Sequence, residues 1–246
     1  MSECAAEFIG TMILVLLGDG VVANVCLNGT KGHGAGWIVI TVGWGLAVFT
    51  AVVISGEFSG GHINPAITIG LAAAGIFPMA KVPLFIGAQL LGGAAGAFLV
   101  WLFYKGHYDI STDQGVILGT FATAPEIRRP IHNVLSEVIG TFVLTLAVLY
   151  TAGLKITSTT AEIKVGMGSL GALPVAFVVI GIGMSLGGTT GYAINPARDL
   201  GPRLIHQLVP IRNKGTSDWA YSWVPVVGPI LGALLAVFVY SFGPAA

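Results

Sequence analysis

The stretch SGGHINPAITIG, residues 59 to 70, breaks an otherwise hydrophobic run with two glycines, a histidine, an asparagine and a proline. A second stretch, GYAINPARDLG at residues 191 to 201, repeats the Asn-Pro pair and adds an arginine and an aspartate. Asn is among the best helix N-cap residues, and Pro suits the first helical turn because its missing N–H would be unpaired there. Each stretch therefore predicts a helix that begins immediately after its Asn.

These two helices are too short to cross a membrane. Their apolar residues run over about 66 to 76 and 196 to 209, which corresponds to roughly 15–20 Å of helix. The hydrocarbon core of a bilayer is about 30 Å thick. We therefore expect each helix to enter the bilayer from one face as a half-helix, with its Asn at the inner tip.

The composition is typical of a membrane protein. Of the 246 residues, 54% are hydrophobic and 9% are charged, and the mean hydropathy is +0.87. Soluble domains carry about 25% charged residues, so most of the outer surface is expected to face lipid. The net charge of zero gives no basic surface for nucleic acid. Cys4 and Cys26 set no disulfide framework, and the histidines have no metal-ligand spacing, so we expect no cofactor and no metal.

Six segments are long enough to cross the bilayer. Their approximate bounds are 4 to 27, 36 to 55, 81 to 104, 131 to 153, 171 to 188 and 222 to 242. The first segment is not expected to be a signal peptide, because it is too long and contains Glu7 and Asp19. Polar connections cover 28 to 35, 105 to 130 and 154 to 170. Three glycine pairs with GxxxG spacing predict close helix packing, namely Gly92 with Gly96, Gly183 with Gly187 and Gly228 with Gly232.

The two halves of the chain repeat each other. AEFIGT at 6 to 11 is similar to SEVIGT at 136 to 141, an offset of 130. Three spans and one half-helix per copy give an odd number of crossings, so the copies must have opposite orientations. This is an inverted repeat, with copies at about 1 to 104 and 131 to 242 in a single domain over residues 1 to 246. The fold class is therefore an all-α membrane protein in which two half-helices meet tip to tip.

Non-helical backbone at membrane depth is tolerated only where it is buried or lines water. The backbone before each half-helix is expected to line a path and to offer its carbonyl oxygens to a donor such as water or an alcohol. The residues concerned are Gly60, Gly61, His62, Ile63, Thr190 and Gly191. The spans opposite are expected to supply apolar side chains, an arrangement that fits a thin amphipathic solute.

Positive charge is expected to exclude cations and protons from this path. Each half-helix carries about half a positive elementary charge at its N-terminus, and the Asn amides offer N–H donors there. Arg198 is the only Lys or Arg that we expect inside the fold, and a charge at that depth indicates function. A structural clamp on loop carbonyls is its alternative role.

Three buried carboxylates are expected to support the irregular backbone. Glu7 and Glu137 occupy matching repeat positions, and we expect them to accept N–H groups of the two loops. Asp199 is expected to face away from the path and bind nearby backbone. The alternative is a proton-coupled secondary transporter in which Glu7, Glu137 or His62 carries protons.

The sequence resembles the major intrinsic protein family, the aquaporins and aquaglyceroporins. Two Asn-Pro-Ala boxes in inverted halves carry the resemblance, formed by Asn64, Pro65, Ala66, Asn195, Pro196 and Ala197, with Arg198 directly after the second box. The resemblance covers essentially the whole chain. It implies the aquaporin fold, a multi-pass protein of the cell membrane in contact with lipid, a homotetramer with one pore per subunit, and no enzymatic activity. Ile63 and Ile194 would flank the Asn pair as apolar pore lining.

Within the family the sequence is most similar to bacterial glycerol facilitators. The resemblance implies a selectivity filter formed by Trp44, Gly183, Tyr192 and Arg198. Water-selective members have His at the position of Gly183. The implied function is passive conduction of glycerol, other small uncharged solutes and water, with exclusion of ions and protons. Tyr192 stands where glycerol facilitators have Phe, so a water-selective or small-neutral-acid-selective channel is an alternative.

The resemblance also implies that both termini are cytoplasmic. The distribution of Lys and Arg over the loops favours the opposite orientation under the positive-inside rule. We follow the resemblance, because many of the basic residues on the outer side lie in long structured loops, where the rule is weak.

Overall fold

The computed structural model describes residues 1–151, 154–157, 162–165 and 168–243. Within these residues the helices are α1 (Glu3–Cys26), α2 (Trp37–Ser59), α3 (Pro65–Ala73), α4 (Val82–Phe103), α5 (Lys105–Ile110), α6 (Gln114–Gly119), α7 (Pro130–Tyr150), α8 (Leu173–Leu186), α9 (Pro196–Leu208) and α10 (Val224–Tyr240). The predicted end of the fourth span at residue 153 lies outside the described residues, as do parts of the connection 154 to 170.

The predicted spans correspond to six of these helices. Five, including α8 with the 3₁₀ turn that precedes it, are long and apolar enough to cross a bilayer. The sixth, α10, has 17 residues, about 25 Å at 1.5 Å per residue. The two predicted half-helices are α3, with 9 residues, and α9, with 13 residues. The prediction of six spans and two half-helices is confirmed.

The helix contacts follow the predicted inverted repeat. In the first repeat α1 packs against α4, and in the second α7 packs against α10 in the same way. The half-helices cross between the repeats, since α3 packs on α10 and α9 packs on α4. The equivalent helices α2 and α8 contact each other. Each repeat therefore holds the half-helix of the other in place.

The connections contain more regular structure than the sequence analysis predicted. The connection 105 to 130 includes α5 and α6, and Asp113 caps α6 by accepting the Val116 N–H at 3.0 Å. In the connection 154 to 170, β1 (Leu154–Thr157) pairs antiparallel with β2 (Glu162–Val165). The all-α fold class is confirmed, and this connection adds one short hairpin that the sequence analysis did not predict. The sequence EIKV alternates polar and apolar residues, a pattern typical of a strand.

Glycine lets α4 approach α1 closely. A Cβ atom at Gly96 would lie 2.5 Å from the Met12 carbonyl oxygen, and one at Gly92 would overlap the Phe8 carbonyl group. On α10, a Cβ atom at Gly232 would overlap the Val138 carbonyl oxygen of α7, and one at Gly228 would lie 2.5 Å from Glu137 Cβ. Small residues at these contacts let the two backbones approach, as is common between membrane helices.

Gly96→Ala is expected to destabilise the fold by about 1–3 kcal/mol, because the obstructing atom belongs to helix backbone and cannot move aside. The measurement is the temperature at which purified protein in detergent loses its monodisperse elution peak. Gly87→Ala is the control, since Gly87 lies on the same helix and faces open space. Equal transition temperatures for the two variants would contradict the packing argument.

Candidate functional site

The two half-helices meet through a reciprocal pair of hydrogen bonds. Asn64 Nδ2 donates to the Ile194 carbonyl oxygen at 2.8 Å, and Asn195 Nδ2 donates to the Ile63 carbonyl oxygen at 2.8 Å. Each Asn also caps its own helix, since the Oδ1 atom accepts the N–H of the Ala two residues later. One N–H of each Asn amide donates to the opposite loop, and the second is available to donate to a solute.

Glu7 holds the loop before α3. Its side chain is fully buried on α1. Its carboxylate accepts the backbone N–H groups of His62 and Ile63 at 2.9 and 2.7 Å. Ser59 Oγ and Gln89 Nε2 donate to the same carboxylate at 2.6 and 2.7 Å. Buried polar groups need such partners, so this carboxylate fixes the irregular backbone directly before Asn64.

Glu137 on α7 does the same for the loop before α9. Its carboxylate accepts the N–H groups of Ala193 and Ile194 at 3.0 and 2.8 Å. It also accepts the hydroxyl of Thr190 at 2.7 Å. The two loops are therefore supported by equivalent carboxylates, in agreement with the inverted repeat.

The residues that precede the two Asn-Pro pairs have strained backbone. Ile63 and Ile194 have φ angles of +45° and +42°, in the left-handed region. A β-branched residue adopts this region only where the surroundings enforce it. Here the N–H of each Ile is bound by a glutamate and its carbonyl oxygen by the opposite Asn. The strain is thus held at the point where the half-helices meet.

A continuous cavity of about 280 Å³ runs past both loops. Its lining includes residues 60–64 and 192–195 of the two loops and Arg198 of α9. Most of the remaining lining is apolar and comes from α1, α2, α3, α7 and α8, with Leu14, Trp44, Val48, Val52, Ile67, Leu71, Leu144, Val148, Val175 and Val179. The cavity is therefore lined both by irregular loop backbone, which can form hydrogen bonds, and by apolar side chains of the helices.

Trp44 and Arg198 form one corner of the cavity. The guanidinium carbon of Arg198 lies 4.2 Å from the centre of the Trp44 ring, a distance typical of a cation–π contact. Arg198 Nη1 donates to the Phe121 carbonyl oxygen at 3.3 Å. The Arg198 residue is only 6% exposed. The guanidinium is therefore clamped on two sides and faces a confined space.

Tyr192 occupies the space that Gly183 leaves free. A Cβ atom at Gly183 would lie 2.9 Å from Tyr192 Cζ, and one at Gly187 would overlap the same ring. Trp37 packs edge-on against the Tyr192 ring at 5.9 Å and donates its indole N–H to the Gly183 carbonyl oxygen at 2.9 Å. The glycine pair Gly183 and Gly187 therefore accommodates an aromatic ring rather than the backbone of a neighbouring helix.

Two residues expected to line the path lie elsewhere. Thr190 is buried against Glu137, and Gly191 packs against Thr123. Neither lines the cavity, which is bordered instead by Tyr192 and Ala193. The Thr190 hydroxyl instead donates to the Glu137 carboxylate that supports the loop.

His62 both borders the cavity and packs against neighbouring aromatic rings. It borders the cavity, while its ring packs against Phe77 and Phe85 at 4.7 and 5.2 Å between ring centres. Its Nδ1 lies 3.1 Å from Thr68 Oγ1. The imidazole is thus a packed aromatic group next to the path.

The expectation that Arg198 is the only buried cation is wrong. Arg203 is fully buried, and its guanidinium binds both carboxylate oxygens of Asp199 at 2.8 and 3.0 Å. Asp199 also accepts the Thr123 N–H at 2.8 Å. Arg203 donates to the Thr123 and Ser217 carbonyl oxygens. This pair joins α9 to the two loops around it and lies outside the cavity lining.

A further buried charge next to the cavity was missed by the sequence analysis. Asp19 on α1 is fully buried, and its Oδ1 lies 3.5 Å from Arg198 Nη1. The sequence places Asp19 within a span but gives no indication of its partner on α9.

Comparisons with known proteins agree with this geometry. The model of the family described as Major intrinsic protein matches residues 1–240. A glycerol uptake facilitator protein of Streptococcus pneumoniae is 52% identical over 241 residues, which cover 98% of this chain and 99% of the relative. Glycerol uptake facilitator protein 3 of Lactiplantibacillus plantarum is 52% identical over 242 residues, covering 98% and 97% of the two chains.

A solved structure has the same architecture. The X-ray structure of the aquaglyceroporin from Plasmodium falciparum superposes with a TM-score of 0.81 at 32% sequence identity. The superposition covers 97% of this chain and 94% of that one. The similarity thus extends over both repeats and both half-helices.

Proposed function

This chain belongs to the major intrinsic protein family, and from that premise we propose that its cavity is a passive channel for glycerol, other small uncharged solutes and water. The protein is a multi-pass protein of the cell membrane and a transporter rather than an enzyme. The observation that carries the choice of solute is the mixed lining of the cavity, by irregular loop backbone and by apolar side chains. Glycerol has hydroxyl groups that can bond to the irregular backbone of the two loops and carbon atoms that can contact the apolar side chains.

The tips of the half-helices are the central solute site in this proposal. Asn64 and Asn195 each retain one amide N–H that can donate to a solute oxygen. Both helix N-termini add positive potential of about half an elementary charge each. A neutral oxygen accepts hydrogen bonds there at no electrostatic penalty, whereas a cation or proton is repelled. The loop residues Gly60, Gly61 and Ile63 flank this site.

Trp44, Gly183, Tyr192 and Arg198 form the selectivity filter in this proposal. Trp44 and Tyr192 offer aromatic surfaces for carbon atoms, and Arg198 donates hydrogen bonds to hydroxyl groups. Gly183 contributes by its lack of a side chain, since the Tyr192 ring occupies that volume. The Tyr192 hydroxyl distinguishes this filter from one with Phe and adds a polar group beside Gly183.

The geometry disfavours a proton-coupled transporter. A proton carrier at Glu7 or Glu137 would have to release hydrogen bonds that hold the loops in place. Those bonds number four at Glu7 and three at Glu137. Protonation would therefore disturb the path itself. A passive channel requires no such change.

Stopped-flow light scattering on proteoliposomes tests the proposed function. Glycerol and water influx is expected to be fast, with a low activation energy and no dependence on a proton gradient. Saturable glycerol uptake driven by a proton gradient would instead support the coupled transporter.

Arg198→Ala is expected to raise leakage of protons and small cations by roughly tenfold or more, because it removes a positive charge that repels them. A tenfold rise corresponds to a barrier lowered by about 1.4 kcal/mol. Glycerol flux is expected to persist. Leakage is followed with a pH-sensitive dye inside proteoliposomes. Arg129→Ala is the control, since Arg129 is exposed. Proton leakage equal to that of the unaltered protein would contradict the role given to Arg198.

The organisation of residues 1 to 246 as one domain, the homotetramer and the contact with lipid remain predictions from the family resemblance. The oligomeric state is measured by light scattering of the detergent-solubilised protein with correction for bound detergent. A stable monomer would contradict the tetramer.

A further inference from the structure

Asp19 belongs to a segment of α1 that forms the back of the proposed filter. Its neighbour Gly18 packs directly under Trp44, since a Cβ atom at Gly18 would overlap the indole ring. Trp44 in turn lies against the Arg198 guanidinium. The Asp19 carboxylate approaches the same guanidinium at 3.5 Å. Both charges are buried, with Asp19 at 0% and Arg198 at 6% exposure.

Asp19 differs from the other buried carboxylates. Four are buried in the described part of the chain, namely Glu7, Asp19, Glu137 and Asp199. The other three bind backbone N–H groups of the irregular segments. The two Asp19 oxygens accept no hydrogen bond from the residues that the structure describes. The nearest opposite charge is Arg198, so the position of Asp19 is explained by charge rather than by support of a loop.

We propose that Asp19 is the counter-charge of Arg198 and makes the selectivity filter electrically neutral, an inference that rests on the proposed channel function. A lone buried cation attracts anions over a long range, because its potential falls only with the first power of distance. A close pair of opposite charges has a much shorter reach. The guanidinium N–H groups remain available as donors to neutral hydroxyls, since hydrogen bonding does not require net charge.

This balance is needed because the rest of the path is already positive. The N-termini of α3 and α9 both point at the Asn pair, and each adds positive potential. An uncompensated Arg198 would add a full charge of the same sign. The channel would then repel cations but draw in anions. The Asp19 carboxylate removes this asymmetry without placing an anionic group in the cavity lining.

The test is a double-mutant cycle of Asp19→Asn, Arg198→Gln and the combined variant in proteoliposomes. The measurements are chloride influx, followed by quenching of an entrapped fluorophore, and potassium and glycerol flux, all per folded channel. Chloride is used because its acid is fully ionised, so no neutral form can cross. Asp109→Asn is the control, since Asp109 is in an exposed ion pair with Lys105.

Asp19→Asn is expected to raise chloride influx roughly tenfold, a barrier change of about 1.4 kcal/mol. Arg198→Gln is expected to raise potassium influx, because Asp19 is then the uncompensated charge. The combined variant is expected to bring both back towards the unaltered level. Unchanged chloride influx in folded Asp19→Asn channels would overturn the proposal. Chloride leakage that persists in the combined variant would also overturn it, since the cause would then be loosened packing.

Asp19→Asn can fail to assemble, because removing one partner of a buried ion pair leaves the other uncompensated. In that case the test is whether the combined variant assembles. Assembly of the combined variant alone supports mutual compensation, whereas failure of both variants overturns it. Glycerol flux through the unaltered protein is measured in the same preparation. Absence of that flux refutes the channel function itself and is thereby distinguished from failure of the Asp19 proposal.

Discussion

Gly183→His is expected to reduce glycerol flux at least about tenfold, which requires about 1.4 kcal/mol of added barrier, and to reduce water flux less. The Cβ position at Gly183 lies 2.9 Å from Tyr192 Cζ and 2.9 Å from Thr41 Cγ2. An imidazole cannot enter this space without displacing the Tyr192 ring. Trp37 packs against that ring at 5.9 Å between ring centres, and Tyr192 borders the cavity, so we expect the ring to be displaced towards the cavity. Glycerol is the wider solute and is therefore affected more.

Stopped-flow light scattering with glycerol and sucrose gradients measures the two fluxes. Gly188→His is the control, because Gly188 is exposed in the turn after α8 and faces open space. Combining Gly183→His with Tyr192→Ala removes the Tyr192 ring from the space that the imidazole needs. The combined variant is therefore expected to restore water flux. Equal loss of glycerol and water flux in the single variant, or full retention of both, would show that Gly183 does not border the narrowest point.

Glu137→Gln is expected to abolish most of the flux and lower the thermal stability. The Glu137 carboxylate accepts three hydrogen bonds from the loop before α9. The Gln amide group replaces one acceptor oxygen with a donor, which then faces donors of the loop. Each buried donor left unsatisfied costs about 1–3 kcal/mol. The loop also contains Ile194 in a strained conformation, which it keeps only while its N–H is bound.

The fluxes and the thermal transition of Glu137→Gln are compared with those of Glu57→Gln, a change of the same chemistry at an exposed position on α2. Glu7→Gln is expected to match Glu137→Gln, because the two residues have equivalent roles in the repeats. A Glu137→Gln channel with full glycerol flux and an altered response only to a proton gradient would contradict the supporting role and favour proton coupling.

Local chemistry made much of this architecture predictable. The half-helices followed from Asn-Pro at their first residues, since N-cap and first-turn preferences operate within a few residues. The six spans followed from length and hydropathy. The matching positions of Glu7 and Glu137 suggested equivalent roles, because buried irregular backbone needs acceptors. Each of these inferences depends on neighbouring residues or on internal repetition.

The features that sequence reasoning missed depend on contacts between distant residues. Nothing near Asp19 indicates that its partner is on α9, and nothing near Arg203 indicates that its carbonyl partners come from two other loops. Thr190 was misplaced for a similar reason. Its hydroxyl is bound by Glu137 on another helix, and Thr190 does not line the cavity. Such pairings become visible only when the helices are packed.

The reciprocal hydrogen bonds from each Asn to the Ile carbonyl oxygen of the opposite loop also constrain how the protein is made. The first half-helix emerges from the ribosome long before Ile194, whose carbonyl oxygen Asn64 binds. At translation rates of about 5–20 residues per second, this delay is on the order of ten seconds. During this interval Asn64, at the tip of α3, lacks the carbonyl oxygen that its side chain binds in the folded protein. The bonds that complete both tips can form only after residue 195 has been synthesised.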